Sequence, residues 1–213
     1  NLAPGVTNGN MNVVSLGSTN STSTTSDSYD AALSSFNSSS LAGGGGWTWN
    51  NIDGTAALTN FFAGTGAVNI NNTGILTIDS GWHNSGGITS SELAILATNG
   101  TVIDNFLGGG GGLHSMSEGD SGPTNSYGWL SALVPGLTFT TNQASGLTLT
   151  SAGNTAFPGL TNADLSAGPF HGTWGGNLGG LQVLFTDANG NAVGIGSSGG
   201  SVTNPGGSVP EPA

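Results

Sequence analysis

Two segments carry the pattern from which the fold is predicted: GILTIDSG, Gly74 to Gly81, and TSSELAILATNGTVIDNFLGGGGGLHSMSEG, residues 89–119. The first segment is a compact apolar run ended by turn residues, which predicts a strand. The second predicts a helix followed by another strand. Thr89 and Glu92 are three residues apart and predict a capping box at the start of the helix. A strand, a capped helix and a second strand together predict a βαβ unit with parallel strands.

The predicted helix has an apolar face and one weak point. The Asn99-Gly100 pair lies inside it and favours a break into two helices, and Gly108 is the predicted C-terminal cap. The apolar face is formed by Leu93, Leu96, Ile103 and Phe106.

Outside this unit the pattern predicts further short elements. A helix is expected in GTAALTNFF, residues 54–62, with Asp53 as its N-cap, and a short helix at residues 127–136 is expected to stop at Pro135. Strands are predicted at residues 11–17, 137–141 and 147–150, and a β-hairpin at residues 181–197.

These elements predict an α/β fold with an open, mostly parallel sheet, flanking helices and a C-terminal β-hairpin. The alternative is a mainly-β extracellular domain. Composition divides the chain into residues 1–46, a strand with a Ser/Thr/Gly-rich low-complexity segment; residues 47–198, the α/β core; and residues 199–213, a Gly/Pro linker with a VPEPA tail.

The charge composition excludes several classes of partner. The chain has no Lys or Arg, 11 Asp and Glu, and a formal charge of -11. Without basic residues it cannot bind nucleic-acid phosphates, and anionic lipid repels it. No apolar run reaches the ~20 residues of a membrane span. With no Lys or Arg, the carboxylates are expected to be neutralised by His, the terminal amine or divalent cations such as calcium.

The residues Val209, Pro210, Glu211 and Pro212 spell VPEP after a Gly/Ser/Asn/Pro-rich stretch. This motif resembles the C-terminal sorting signal of PEP-CTERM proteins. The resemblance implies export by a Gram-negative bacterium, processing by an exosortase-type enzyme, and a place at the cell surface or in an extracellular, polysaccharide-rich biofilm. The membrane helix and basic cluster that follow the motif in that family are absent from this sequence, as expected of a mature chain cut at the signal.

The segment ILTIDSG with IDNFLGGGGGL, residues 103–113, resembles the glutamine-amidotransferase-like domains, and more closely their ThuA-like branch. This resemblance implies a flavodoxin-like fold. Catalytic amidotransferases carry a Cys after a strand, and this chain has none. Amidotransferase chemistry by that mechanism is therefore excluded.

Three sets of residues are candidates for binding. If the predicted strand ends converge, a metal site would be formed there by His83, His114, His171, Asp79 and Glu118. A calcium loop would use Asp187, Asn189 and Asn191, although the closing Glu of such loops is missing and an ordinary turn explains the same residues. Stacking on sugars would use Trp82, Trp129 and Trp174.

Three functions follow from these features. The first is a non-enzymatic structural protein of the bacterial exterior that self-assembles into filaments, with an N-terminal segment pairing with the next subunit's sheet edge. The second is an exopolysaccharide-binding surface module. The third is a metal-dependent hydrolase that uses the His cluster. The first is our prediction, with no catalytic residue and no required cofactor, although calcium or another divalent cation could bridge subunits.

Overall fold

The computed structural model describes residues 6–17, 48–79, 88–116, 128–156, 161–163, 165 and 170–196. In this part of the chain the strands are β1 Asn12–Leu16, β2 Thr48–Ile52, β3 Thr73–Asp79, β4 Gly112–Met116, β5 Leu137–Ala144, β6 Thr148–Leu149, β7 Phe170–Gly176, β8 Gln182–Thr186 and β9 Ala192–Gly196. The α-helices are α1 Thr55–Phe62, α2 Ser90–Thr98, α3 Gly100–Gly108, α4 Gly128–Leu133 and α5 Ser151–Ala156, and Ile70–Asn72 forms a 3-10 turn.

The strands form one mixed sheet. Its main order is β2-β1-β3-β4-β9-β7-β5, and β8 also pairs with β9 and carries β6 at its other side. Strands β1 to β4 are mutually parallel, whereas β5 to β9 pair antiparallel with their neighbours. The predicted α/β class is thus confirmed, rather than the mainly-β alternative, and so is the predicted hairpin of β8 and β9. The sheet was predicted to be mostly parallel, and this holds only for β1 to β4.

Strand β1 lies in the middle of the parallel half. It pairs with β2 on one side and with β3 on the other, and Val13, Val14 and Leu16 are buried. The strand is therefore part of the core, although composition grouped it with the low-complexity segment. Both of its edges are used within its own chain, so the predicted pairing with a neighbouring subunit is wrong for residues 12–16.

The βαβ unit forms as predicted. Strands β3 and β4 are parallel neighbours, and α2 and α3 connect them as two helices that meet at Asn99 and Gly100. One sheet face, with Val14, Leu76 and Leu113, packs against apolar side chains from α1 to α4. Of the four residues predicted on the helical face, Leu96, Ile103 and Phe106 are buried and Leu93 is partly buried.

Two helix ends differ from the prediction by one residue each. Helix α1 has Gly54, not Asp53, as its N-cap, and no side chain caps it. Helix α3 has Gly109 as its C-cap, with Gly108 still helical, and Gly110 takes the left-handed conformation with φ 90°. Side-chain propensity alone does not separate adjacent residues of a Gly-rich turn.

Asparagine side chains fasten the amino ends of β1, β2 and β3, and we call this set the asparagine edge. Asn8 and Asn10 donate from Nδ2 to the carbonyl oxygen of Thr73, over 2.9 and 3.2 Å. Asn12 Nδ2 donates to the carbonyl oxygen of Asn72 over 2.8 Å, and Asn12 Oδ1 accepts from Asn50 Nδ2. Neutral amides therefore satisfy backbone carbonyls where the parallel strands begin.

Several glycines make room for aromatic rings. A Cβ atom added at Gly111, Gly172 or Gly194 would overlap the ring of Phe106, Phe139 or Phe185, respectively. The Gly-rich composition is thus compatible with a packed interior, because the missing side chains leave space that the rings occupy.

Candidate functional site

The carboxyl ends of the parallel strands are where open α/β sheets bind ligands. At this edge β1 is followed by Gly17, whose N–H donates to the carbonyl oxygen of Ile52 over 2.9 Å. Gly17 has φ 77° and packs against Ile88, which is fully buried. The helices α1 and α2 begin beside this edge, and their first residues bring together the two carboxyl groups described next.

Glu92 lies at this edge, between the first residues of α1 and α2, and only 2 % of its surface is exposed. Its Oε1 accepts the Gly54 N–H over 2.7 Å. Its Oε2 accepts the Thr89 N–H over 2.8 Å and the Thr89 hydroxyl over 2.7 Å. The predicted capping box of α2 is confirmed, and the same carboxylate also binds the residue that begins α1. Sequence indicated the local cap but not this second, long-range bond.

Asp53 lies against Glu92, and we call the two residues the acid pair. Partial burial, a hydrogen bond with Glu92 and the negative charge of Glu92 raise the pKa of Asp53, although the Gly54 N–H acts in the opposite direction. Burial tends to raise the pKa of Glu92, but hydrogen bonds from Thr89, Gly54 and Asp53 outweigh it and lower the pKa. The two directions make Asp53 the member of the pair that binds a proton first as pH falls.

The predicted metal site is only partly within the described residues. His83 and Glu118 lie outside them, and for Asp79, His114 and His171 the backbone alone is described. Asp79 ends β3 opposite Met116, whereas His114 is two residues earlier in β4, paired with Thr77 and Gly196. His171 is in β7, which β9 separates from β4 in the strand order. Within the described residues, no three His, Asp or Glu side chains are grouped to hold a metal ion.

The predicted calcium loop is an ordered turn built around Asp187. Asp187 Oδ1 accepts the N–H groups of Asn189 and Asn191 over 2.9 and 2.8 Å, and Oδ2 accepts Asn191 Nδ2 over 2.9 Å. Burial tends to raise the pKa of Asp187, but these bonds and one from the Gly190 N–H outweigh it and lower the pKa. Both oxygens already bind N–H groups, which fits the ordinary turn that the residues also predicted.

Two of the three tryptophans proposed for sugar stacking are part of the core. Trp129 is 3 % exposed and Trp174 is 5 % exposed. Trp174 donates from Nε1 to the carbonyl oxygen of Val193 over 3.1 Å and contacts Phe139 edge to face. Neither ring presents a face to solvent in this conformation, and Trp82 lies outside the described residues.

A buried serine that the sequence did not single out lies in β1. Ser15 is fully buried, and its Oγ is the one buried side-chain polar atom in the described ranges that makes no hydrogen bond. Ser115 in β4 is equally buried, but its Oγ donates to the carbonyl oxygen of Ile78 over 2.9 Å. Alternation along the strands places the two serines on opposite faces of the sheet, since Ser15 pairs with Thr77 and Ser115 pairs with Ile78.

Comparison with protein-family models, with curated proteins and with solved structures found no match for this chain. The VPEP residues 209–212 lie outside the described residues. No helix in the described ranges has the length and apolar character needed to cross a membrane. Three features of the described residues have unusual polar chemistry: the acid pair, the Asp187 turn and Ser15.

Proposed function

We propose that this chain is a secreted, non-enzymatic structural protein of the bacterial cell surface or biofilm matrix that assembles into extracellular filaments. The observation that carries the proposal is the VPEP motif of residues 209–212, which follows a Gly/Ser/Asn/Pro-rich stretch and resembles an exosortase-processed sorting signal. The absence of Lys and Arg supports an extracellular role, because trypsin-like proteases then find no cleavage site.

The distribution of acidic residues supports self-assembly. Of the 11 Asp and Glu in the chain, only Asp79 falls within the bounds of a described strand. In particular, β2 and β5, the two ends of the main strand order, contain none. Like charges opposite each other destabilise strand pairing. Two copies that approached through these end strands would bring together uncharged residues, in spite of the net charge of -11.

The arrangement of the parallel strands supports the flavodoxin-like part of the proposal. The order β2-β1-β3-β4 corresponds to the first four positions of the flavodoxin-type order 2-1-3-4-5. The fifth position differs, because β9 is antiparallel to β4. We therefore extend the proposed relationship to the parallel half of the sheet only.

We further propose that calcium or magnesium bridges exposed carboxylates between subunits. Asp104, on the exposed side of α3, is a suitable group. Glu92 and Asp187 are not, because their oxygens are buried and already accept N–H groups. Cation bridges would reduce the repulsion between acidic subunits at low ionic strength.

Negative-stain electron microscopy of the purified chain tests the proposal. We expect regular filaments in millimolar calcium, and fewer or shorter filaments after chelation. Dispersed monomers under all salt and cation conditions would contradict the structural role. Filaments that resist both chelator and salt would contradict the cation bridges but not the structural role. An Asp104→Asn variant sharpens the test, because losing one bridging carboxylate should raise the calcium concentration needed for assembly.

A further inference from the structure

Two helices that are far apart in sequence are joined through one buried carboxylate. Glu92, in the first turn of α2, binds the N–H of Gly54 at the start of α1 over 2.7 Å. The same side chain binds Thr89 at the start of its own helix. With Asp53 immediately before Gly54, the junction contains two carboxyl groups and, among the described residues, no cationic side chain.

Two adjacent carboxyl groups with no cation nearby are most stable when one of them is protonated. When both are ionised they repel each other, and solvent screens the repulsion only in part, because Asp53 is exposed but Glu92 is shielded from water. When one is protonated, its O–H can donate to the other, and this charge-assisted hydrogen bond replaces the repulsion. The stability of the junction between α1 and α2 therefore depends on pH, because its two carboxyl groups lie next to each other.

We propose that Asp53 and Glu92 act as an acid-strengthened latch, in which one shared proton fastens the start of α1 to the start of α2. The directions of the two pKa shifts agree with this assignment, since that of Asp53 is raised and that of Glu92 is lowered. Filament assembly is not part of this inference, which concerns the subunit itself.

No other titratable side chain within the described elements competes for this role. Strand β2, the remainder of α1 and α2, and helix α4, which packs against α2, contain no other Asp, Glu or His. Helix α3 contributes Asp104, which is exposed. If the amide signals of Gly54 and Thr89 change with pH, substituting Asp53 or Asp104 therefore shows which carboxyl group is responsible.

The sign of the pH effect follows from the two directions. Asp53 has a raised pKa. Its contribution to the stability of the folded state is therefore present below the ordinary value of 3.8 and is lost as pH rises through the raised value. Glu92 has a lowered pKa, so its contribution is present above the ordinary value of 4.5 and is lost as pH falls through the lowered value. Stability is expected to pass through a maximum at acidic pH.

The test is a pH titration of the full chain, followed through the backbone amide proton shifts of Gly54 and Thr89. We expect both amides to show a step whose midpoint lies above 3.8. The step that belongs to Asp53 should be lost in Asp53→Asn, which leaves only the titration of Glu92, and should be retained in the control Asp104→Asn. In parallel, acidification from pH 7 should raise the folding equilibrium constant more in the wild type than in Asp53→Asn.

Two results would overturn the latch. One is an amide titration that persists unchanged in Asp53→Asn, which would assign the proton elsewhere. The other is a flat Gly54 shift between pH 4 and 7 in the wild type, which would show that the two groups share no proton. Asp53→Asn changes one exposed residue and keeps its size, so the comparison does not depend on a variant that fails to fold.

Discussion

The two ends of the parallel strands are fastened by different chemistry. At the asparagine edge, neutral amides donate to the backbone carbonyls of Asn72 and Thr73. At the opposite edge, a carboxylate accepts the N–H groups of Gly54 and Thr89. Carbonyls need donors and helix N-termini need acceptors, so a chain without Lys or Arg uses Asn for one need and Glu for the other. Only the second edge can respond to pH.

The same chemistry bears on an expectation drawn from composition, for two of the carboxylates. Without Lys or Arg, the acidic residues were expected to need His, the terminal amine or a metal ion for neutralisation. Glu92 and Asp187 instead have lowered pKa values because backbone and Asn N–H groups bind them. Hydrogen bonds to the charged form stabilise a carboxylate without a countercharge.

The largest effect is expected from Glu92→Ala, which leaves the N–H groups of Gly54 and Thr89 without their acceptor. We expect a loss of about 2–4 kcal/mol in the free energy of unfolding, because the two partly buried N–H groups lose hydrogen bonds to a charged group, each of which contributes about 1.5–3 kcal/mol. Urea unfolding measures it. Glu92→Gln is the matched control and should lose less, since one side-chain oxygen remains. A loss below about 1 kcal/mol for the Ala variant would show that this edge is not fastened by Glu92.

At the asparagine edge, Asn12→Ala removes a donor to Asn72 and an acceptor for Asn50. We expect a loss of about 1–2 kcal/mol that is the same from pH 5 to pH 7, because no ionisable group is involved. Denaturation at both pH values measures it, with the exposed Asn154→Ala as the control. A pH-dependent loss would remove the distinction between the two edges.

Between the edges, the two buried serines should respond differently. Ser115→Ala breaks a bond to the carbonyl of Ile78 and should cost about 1 kcal/mol. Ser15→Ala removes a hydroxyl that has no partner and should be neutral or stabilising by up to about 1 kcal/mol. Thermal and urea unfolding of the pair measure the contrast. Equal losses in both variants would indicate that Ser15 has a partner in solution.

The smallest effect is expected in local amide exchange. After correction for the intrinsic rate, acidification from pH 7 to pH 5 should increase protection more at Gly54 than at Thr7. The Thr7 N–H binds the carbonyl of Gly110 at the amino ends of the strands, and it therefore serves as an internal reference. Equal changes at both amides would point to a global effect rather than to the acid pair.

Much of the fold could be predicted from local patterns. The apolar run of β3, the Thr89 to Glu92 cap and the Asn99-Gly100 break each depend on neighbouring residues, and each is confirmed. Strands β2 and β7 were missed. Their sequences, TWNNI and FHGTWGG, contain Asn and Gly residues of low strand propensity, and pairing with neighbouring strands decides their conformation.

The candidate site was less predictable. The sequence indicated that Glu92 caps its own helix, but not that it reaches Gly54, 38 residues earlier. His114 was expected at a strand end, whereas its strand continues to Met116. The burial of Trp129 and Trp174 depends on how helix and sheet pack, which local spacing does not encode.

Composition and periodicity over a few residues were enough to establish the α/β class, the order of the central elements, the net charge and the exclusion of cysteine chemistry. Three-dimensional packing was needed to show which carboxyl groups meet, which glycines admit a phenylalanine ring and which serine lacks a partner. Those features depend on contacts between segments far apart in the chain, where backbone geometry sets the distances.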